Sequence, residues 1–211
     1  MDRVAFLIDG FNLYHSVKQA EKDSGIGSRW LDIHALCTSY LPLLGRVNRI
    51  EAVHYFSALA SHLEATNPDV TARHRAFLRC LTATGVDVNL SSFKKKSIRC
   101  DHCEQRFKRY EEKETDVAIA AKLFELFARD ACDTVVMMTG DTDLAPAFRT
   151  ATALYPAKRI LFAFPYKRKN KELAQLAPGS FSIDRKQYAN HQLPDPFCLP
   201  NGRDVPKPAS W

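Results

Sequence analysis

The chain has 211 residues, with 30 Lys+Arg against 24 Asp+Glu and a formal charge of +6 at pH 7, a length that suits one domain with at most an appendage. At 45% hydrophobic and 26% charged residues it can bury a core, which excludes wholesale disorder. No run approaches the ~18 apolar residues of a membrane-spanning helix, nor does the N-terminus carry a secretory signal, so the expectation is a cytoplasmic protein with no membrane partner.

Residues 4–8 (VAFLI) form a compact apolar run closed by Asp9-Gly10, the pattern of a buried strand ending in a turn. A helix is predicted over 12–22, a loop over 23–28, and a second helix over 31–41 from the spacing of Leu31, Ala35, Thr38 and Leu41, stopped by Pro42. The β-branched and aromatic content of 50–59 predicts the second core strand. Val70, His74, Phe77, Leu78 and Leu81 predict an amphipathic helix ended by Gly85, and Val86, Val88 and Leu90 a half-buried strand.

Residues 93–110, FKKKSIRCDHCEQRFKRY, break this rhythm as a basic insertion, expected as a hairpin off the core. Thr115 is expected to cap a helix with a broad apolar face over 117–127. A buried strand over 134–138, a helix over 144–154, a strand over 160–164, a helix over 169–177 and a last short strand over 181–183 complete the pattern. Prolines 194, 196, 200, 206 and 208 argue against regular elements beyond Gln192. Residues 1–192 are thus read as one domain and 193–211 as a Pro-rich, loosely ordered tail.

Apolar strands alternating with helices indicate a mostly parallel sheet covered on both faces, a three-layer α/β/α class. Ligands of such sheets bind outside the carboxyl ends of the strands. Two strands finish in acid there: one at Asp9, the other through Thr139-Gly140 to Asp141 and Asp143. Asp116 opens a helix, and Glu112 and Glu114 lie just upstream.

Converging carboxylates repel one another unless a cation or a shared proton relieves them. Hard divalent cations take oxygen ligands, and a metal held by acids on a basic protein suits phosphodiester hydrolysis. Each acid also has a plain structural reading: Asp9 as a turn residue, Asp116 as a first-turn acid, Asp141 or Asp143 as a helix cap. Their joint occurrence at strand ends favours a shared site.

IDGFNLYH at residues 8–15, EEKETDVAIA at 111–120 and TGDTDLAPAF at 139–148 resemble, in order, the three signature blocks of NYN domains, the PIN-like nucleases of the LabA/DUF88 group. The resemblance spans about residues 4–183. It implies a PIN-like α/β fold in which aspartates bind Mg²⁺ or Mn²⁺ and hydrolyse RNA. By motif position it implies Asp9, Asp116, Asp141 and Asp143 as the catalytic, metal-binding acids, and Asn12 and Thr139 as contacts to substrate phosphate.

Lys94, Lys95, Lys96 and Arg99 on one side of the thiols, and Arg106, Lys108 and Arg109 on the other, are candidate phosphate contacts, as are Lys167 and Arg168 after the strand at 160–164. Solvated surface is the plain alternative for both sets. Six cysteines in a chain of this size read as free thiols. Cys100 and Cys103 supply only half of a structural zinc site, which makes zinc the weaker reading. Phe11, Tyr14, Phe93 and Tyr166 are candidates for stacking on unpaired bases.

The expected function is therefore a metal-dependent ribonuclease acting on RNA, read as single-stranded, with a homo-oligomer left open. Two alternatives remain: a non-catalytic RNA-binding or partner-docking module, and a phosphatase of the haloacid dehalogenase type. The latter needs a second acid two positions after its nucleophile, where this sequence has Phe11.

Overall fold

Val4, Phe6 and Ile8 face one way from the first strand, Ala5 and Leu7 face the other, and both sets are fully buried. A strand with two apolar faces can only lie inside a sandwich of helices. The computed structural model describes the whole chain except Arg46, Cys100 and Asp101 and, within the hairpin, the side chains of Lys108 and Arg109.

The elements run β1 (Asp2–Asp9), α1 (Gly10–Ser24), α2 (Ile33–Tyr40), β2 (Asn48–Ala58), α3 (Val70–Ala83), β3 (Val86–Arg99), β4 (Arg106–Lys113), α4 (Thr115–Ala128), β5 (Thr134–Met138), α5 (Ala145–Leu154), β6 (Arg159–Phe164), α6 (Lys171–Leu176), β7 (Ser180–Ser182), α7 (Arg185–Asn190), β8 (Phe197–Cys198) and β9 (Asp204–Val205). Seven strands make one sheet in the order β4-β3-β2-β1-β5-β6-β7. All neighbours are parallel except β3 and β4. This is the expected three-layer α/β/α class.

One helical layer is α1, α2, α3 and α7, whose Leu13, Val17, Leu36, Phe77, Leu81 and Tyr188 pack on Val4, Phe6 and Ile8. The other is α4, α5 and α6, whose Ile119, Leu123, Phe148 and Leu173 pack on Ala5 and Leu7. Each such fully buried side chain contributes about 1.5–3 kcal/mol. This rigid body fixes the carboxyl ends of the strands.

The basic insertion is the far part of β3 paired with β4, from Ser92 opposite Lys113 to Arg99 opposite Arg106. β3 therefore does not stop at the core but runs unbroken into the hairpin. The Cys100–Cys103 expectation falls outside the described residues, since Cys100 is not among them; Cys103 is exposed, and no disulfide occurs among the described residues.

Thr115 does not cap α4 but is its first helical residue, and Glu114, in the left-handed region at φ 80°, makes the sharp turn from β4. The sequence also gave no sign of α7, a six-residue helix capped by Asp184 that buries Tyr188 completely.

Residues beyond Gln192 differ from the expectation of a loose tail. β8 and β9 form a short antiparallel ladder, Leu193 and Val205 are buried, and Trp30 Nε1 donates to the carbonyl of Pro194 at 3.0 Å. Trp211 packs its ring 5.4 Å from Phe77 and 6.2 Å from Trp30. The prolines prevent long ladders, while these apolar side chains still anchor the segment to the first helical layer.

Candidate metal centre and nucleic-acid interface

β1 lies between β2 and β5, so strand order reverses beside it, and a crevice opens at the carboxyl ends of β1 and β5. Asp9 closes β1 there and is 5% exposed. Burying a carboxylate is costly without donors, and Asp9 has three. Asn12 gives its backbone N–H to Oδ1 at 2.9 Å and its amide Nδ2 to Oδ2 at 2.8 Å, and the Thr139 hydroxyl donates to Oδ2 at 2.9 Å.

The loop after β5 is fixed by the same set. The backbone N–H of Asp141 donates to Thr139 Oγ1 at 3.0 Å, and that of Gly140 to Asn12 Oδ1 at 3.3 Å. Asp141 in turn accepts from the backbone N–H of Asp143 at 3.0 Å, capping the turn Thr142–Leu144. Asp9 likewise caps α1. Asp9 and Asp141 therefore act as caps, and capping holds both carboxylates in fixed orientation at the crevice.

Asp116 enters from the first turn of α4. Asp9, Asp116 and Asp141 each offer a carboxylate oxygen, and these oxygens lie within 4.8 Å of one another. Among the described residues none of the three acids is in an ion pair with Lys or Arg. Burial, joined by the charges of Asp141, Asp9 and Asp143, pushes the Asp116 carboxyl up to about 6. A hard divalent cation relieves that crowding, and the all-oxygen donor set fits one.

Glu112 joins this group. Burial raises its carboxyl to about 7 against the opposing hydrogen bond from Thr115, and Asp9 and Asp116 add to the rise. Its neighbour Glu114 turns away to pair with Lys94 at 2.7 Å. Sequence reading held both in one pool of acids; only the ladder register, which sets Glu112 opposite Phe93, separates them.

The other expected residues divide. Asp143 is exposed and lies outside the group of three, acting on Asp116 only through its charge. Asn12 and the fully buried Thr139 hold the Asp9 carboxylate through the bonds above. Phe11 stands edge-on to Phe93 at 5.7 Å, so the second acid of a haloacid dehalogenase-type phosphatase has no counterpart.

The basic residues are sorted by their partners. Lys94, Lys96, Arg99 and Lys167 are paired with Glu114, Glu111, Glu104 and Asp23. Lys95 and Arg168 have no ion pair among the described residues. Lys95 lies opposite Tyr110 in the ladder, two positions from the Phe93–Glu112 pair, and so shares the face that carries Glu112. Arg168 touches the site loop through its own backbone: a Cβ on Gly140 would lie 2.2 Å from the Arg168 carbonyl oxygen. With burial, Arg168 and Lys18 hold the His15 imidazole below its usual value.

The model of the NYN domain family matches residues 3–184. The chain belongs to the NYN domain family. The NYN domain belongs to the PIN-like nuclease superfamily, and here the family's span takes in β1 to β7, with all three clustered acids. A crystal structure of a protein of unknown function from Vibrio parahaemolyticus has a similar fold, with a TM-score of 0.55 at 17% identity over 87% of this chain and 93% of that chain. No curated protein matches this NYN domain. Among the described residues no helix is long and apolar enough to cross a membrane.

Proposed function

We propose that this NYN domain is a metal-dependent ribonuclease that hydrolyses phosphodiester bonds of single-stranded RNA by attack of water. The observation that carries the proposal is the meeting of Asp9, Asp116 and Asp141 oxygens within 4.8 Å, with no cationic side chain paired to them among the described residues. These three acids are the holders of Mg²⁺ or Mn²⁺, and Asp143 tunes them from outside. A bound ion of this kind supplies Lewis acidity at the phosphate and lowers the pKa of water.

The remaining work falls to the chain's own residues. Asn12 and Thr139 fix both oxygens of Asp9 before any ligand arrives, so orientation is prepared in the resting protein. In the metal-free chain burial and neighbouring acids hold the Asp116 and Glu112 carboxyls up to about 6 and about 7, and a bound cation would favour their ionised forms. Lys95 and Arg168, cations without a carboxylate partner among the described residues, draw the RNA backbone to the crevice.

The test is cleavage of labelled single-stranded RNA by the purified chain with Mn²⁺, with Mg²⁺ and with EDTA, alongside its Asp9→Asn variant. Metal-dependent products from the wild type, and none from a variant with an unchanged circular dichroism spectrum, support the reading. RNA binding without cleavage in either metal overturns it and leaves a non-catalytic RNA-binding module.

A further inference from the structure

Beside the carboxylates lies a cavity of about 550 Å³, within the ~300–1,000 Å³ typical of small-molecule sites. It opens between α1, the end of β2, the turn Ser61–Leu63, α3 and Phe93. We propose that this cavity receives one unpaired nucleobase of the strand whose phosphate lies at Asp9, Asp116 and Asp141. The assignment rests on the nuclease reading and names what that site recognises beside the phosphate.

Three observations carry it. The first is continuity: Gly10 and Phe11, which line the cavity, directly follow Asp9. Tyr55 closes the gap between the two sites. A Cβ on Gly10 would lie 2.8 Å from its hydroxyl.

The second is the wall. His62 lies 4.5 Å from Phe93 and is stacked on Tyr110 at 4.5 Å with 13° between planes, and Phe93 meets Phe11. This row of rings runs from the carboxylates to the face of the hairpin that carries Lys95. Every base offers a flat π-face to such rings, so stacking needs no particular sequence.

The third is charge. Lys18, Arg29 and Arg73 line the cavity, Arg29 being held by Glu21 at 2.7 Å, and among the described residues no Asp or Glu lines it. An aromatic pocket with a cationic rim suits a base attached to phosphates better than an apolar or a cationic ligand.

The chain's two tryptophans report on this region, since Trp211 lines the cavity and Trp30 packs against it. The experiment titrates the full chain in EDTA with a trinucleotide RNA, adenosine 5′-monophosphate and ribose 5-phosphate, following tryptophan fluorescence. Saturable quenching by the two nucleotides but not by ribose 5-phosphate is expected, with the trinucleotide binding more tightly. His62→Ala, on a half-buried turn outside the core, weakens trinucleotide binding about tenfold, and His62→Phe, which keeps a ring, restores it.

Equal binding of ribose 5-phosphate, or binding unchanged by His62→Ala in a variant that melts like the wild type, overturns the pocket. A mononucleotide as tight as the trinucleotide overturns the strand assignment in favour of a free nucleotide. Cleavage with Mn²⁺ is scored separately. Base-dependent quenching in a chain that never cleaves strikes the nuclease reading and keeps the pocket, whereas cleavage without base-dependent quenching does the reverse.

Discussion

Thr139 gives its hydroxyl to Asp9 Oδ2 at 2.9 Å and takes the backbone N–H of Asp141 at 3.0 Å, so one buried oxygen ties the acid of β1 to the acid after β5. Replacing it by the isosteric valine, Thr139→Val, leaves a buried carboxylate short of a donor and a buried N–H short of an acceptor. The expected cost is about 1–3 kcal/mol in urea unfolding. Mn²⁺ affinity by calorimetry falls roughly 10–100-fold, as for other partners that orient metal ligands.

Asp116 contributes one part of the pH dependence of the metal-free protein. Its folded carboxyl, raised to about 6 chiefly by burial and then by neighbouring acids, binds a proton more tightly than in the unfolded chain. Its contribution to stability is therefore complete below the usual carboxylate range and is lost as pH rises through about 6; Glu112 acts in the same sense up to about 7. In EDTA the melting difference between the wild type and Asp116→Asn is expected to move against the wild type from pH 5 to pH 8, a comparison in which the opposite pull of His74, His54 and His15, held below their usual value chiefly by burial, cancels. Mn²⁺ raises the melting temperature of the wild type at pH 8 and fails to do so in the variant. A difference that moves in favour of the wild type over that range refutes the prediction.

Adjacent lysines should behave differently. Lys95 has no ion pair among the described residues, whereas Lys94 is held by Glu114 at 2.7 Å. Lys95→Ala is expected to weaken single-stranded RNA binding and to reduce the slope of log K against log salt by about 0.7. Lys94→Ala changes the slope less. Anisotropy titrations at several salt concentrations distinguish them, and equal effects would remove the argument for a preferred hairpin face.

Gly140 has no room for a side chain, because the Arg168 carbonyl oxygen stands 2.2 Å from where its Cβ would be. In Gly140→Ala the segment bearing Thr139 and Asp141 must move away from the loop after β6. We expect about 1–3 kcal/mol of destabilisation, as for overpacking generally, and loss of the melting shift on adding Mn²⁺. A variant with wild-type melting in both conditions contradicts this close packing.

The core strands were readable because each is an apolar run too short for a helix and ends in a turn residue, and Asp9 and Asp141 stand where two of those runs stop. What the chain pattern could not convey was facing. Lys94, Lys95 and Lys96, or Glu111, Glu112 and Glu114, are alike in composition. Their separation into paired and site-facing sets depends on the β3–β4 register and on the left-handed turn at Glu114. α7 and the β8–β9 ladder escaped because six-residue and two-residue elements are too short to show a period. Contacts such as the one between Trp211 and Trp30, distant in sequence, hold that region.

Asp9 and Thr139 are 130 positions apart, and the pairing of β1 with β5 is what joins them. A polypeptide still emerging from the ribosome therefore carries its first acid long before its last. Until β5 is made and inserted beside β1, the growing chain holds an incomplete set of the acids that meet in the crevice.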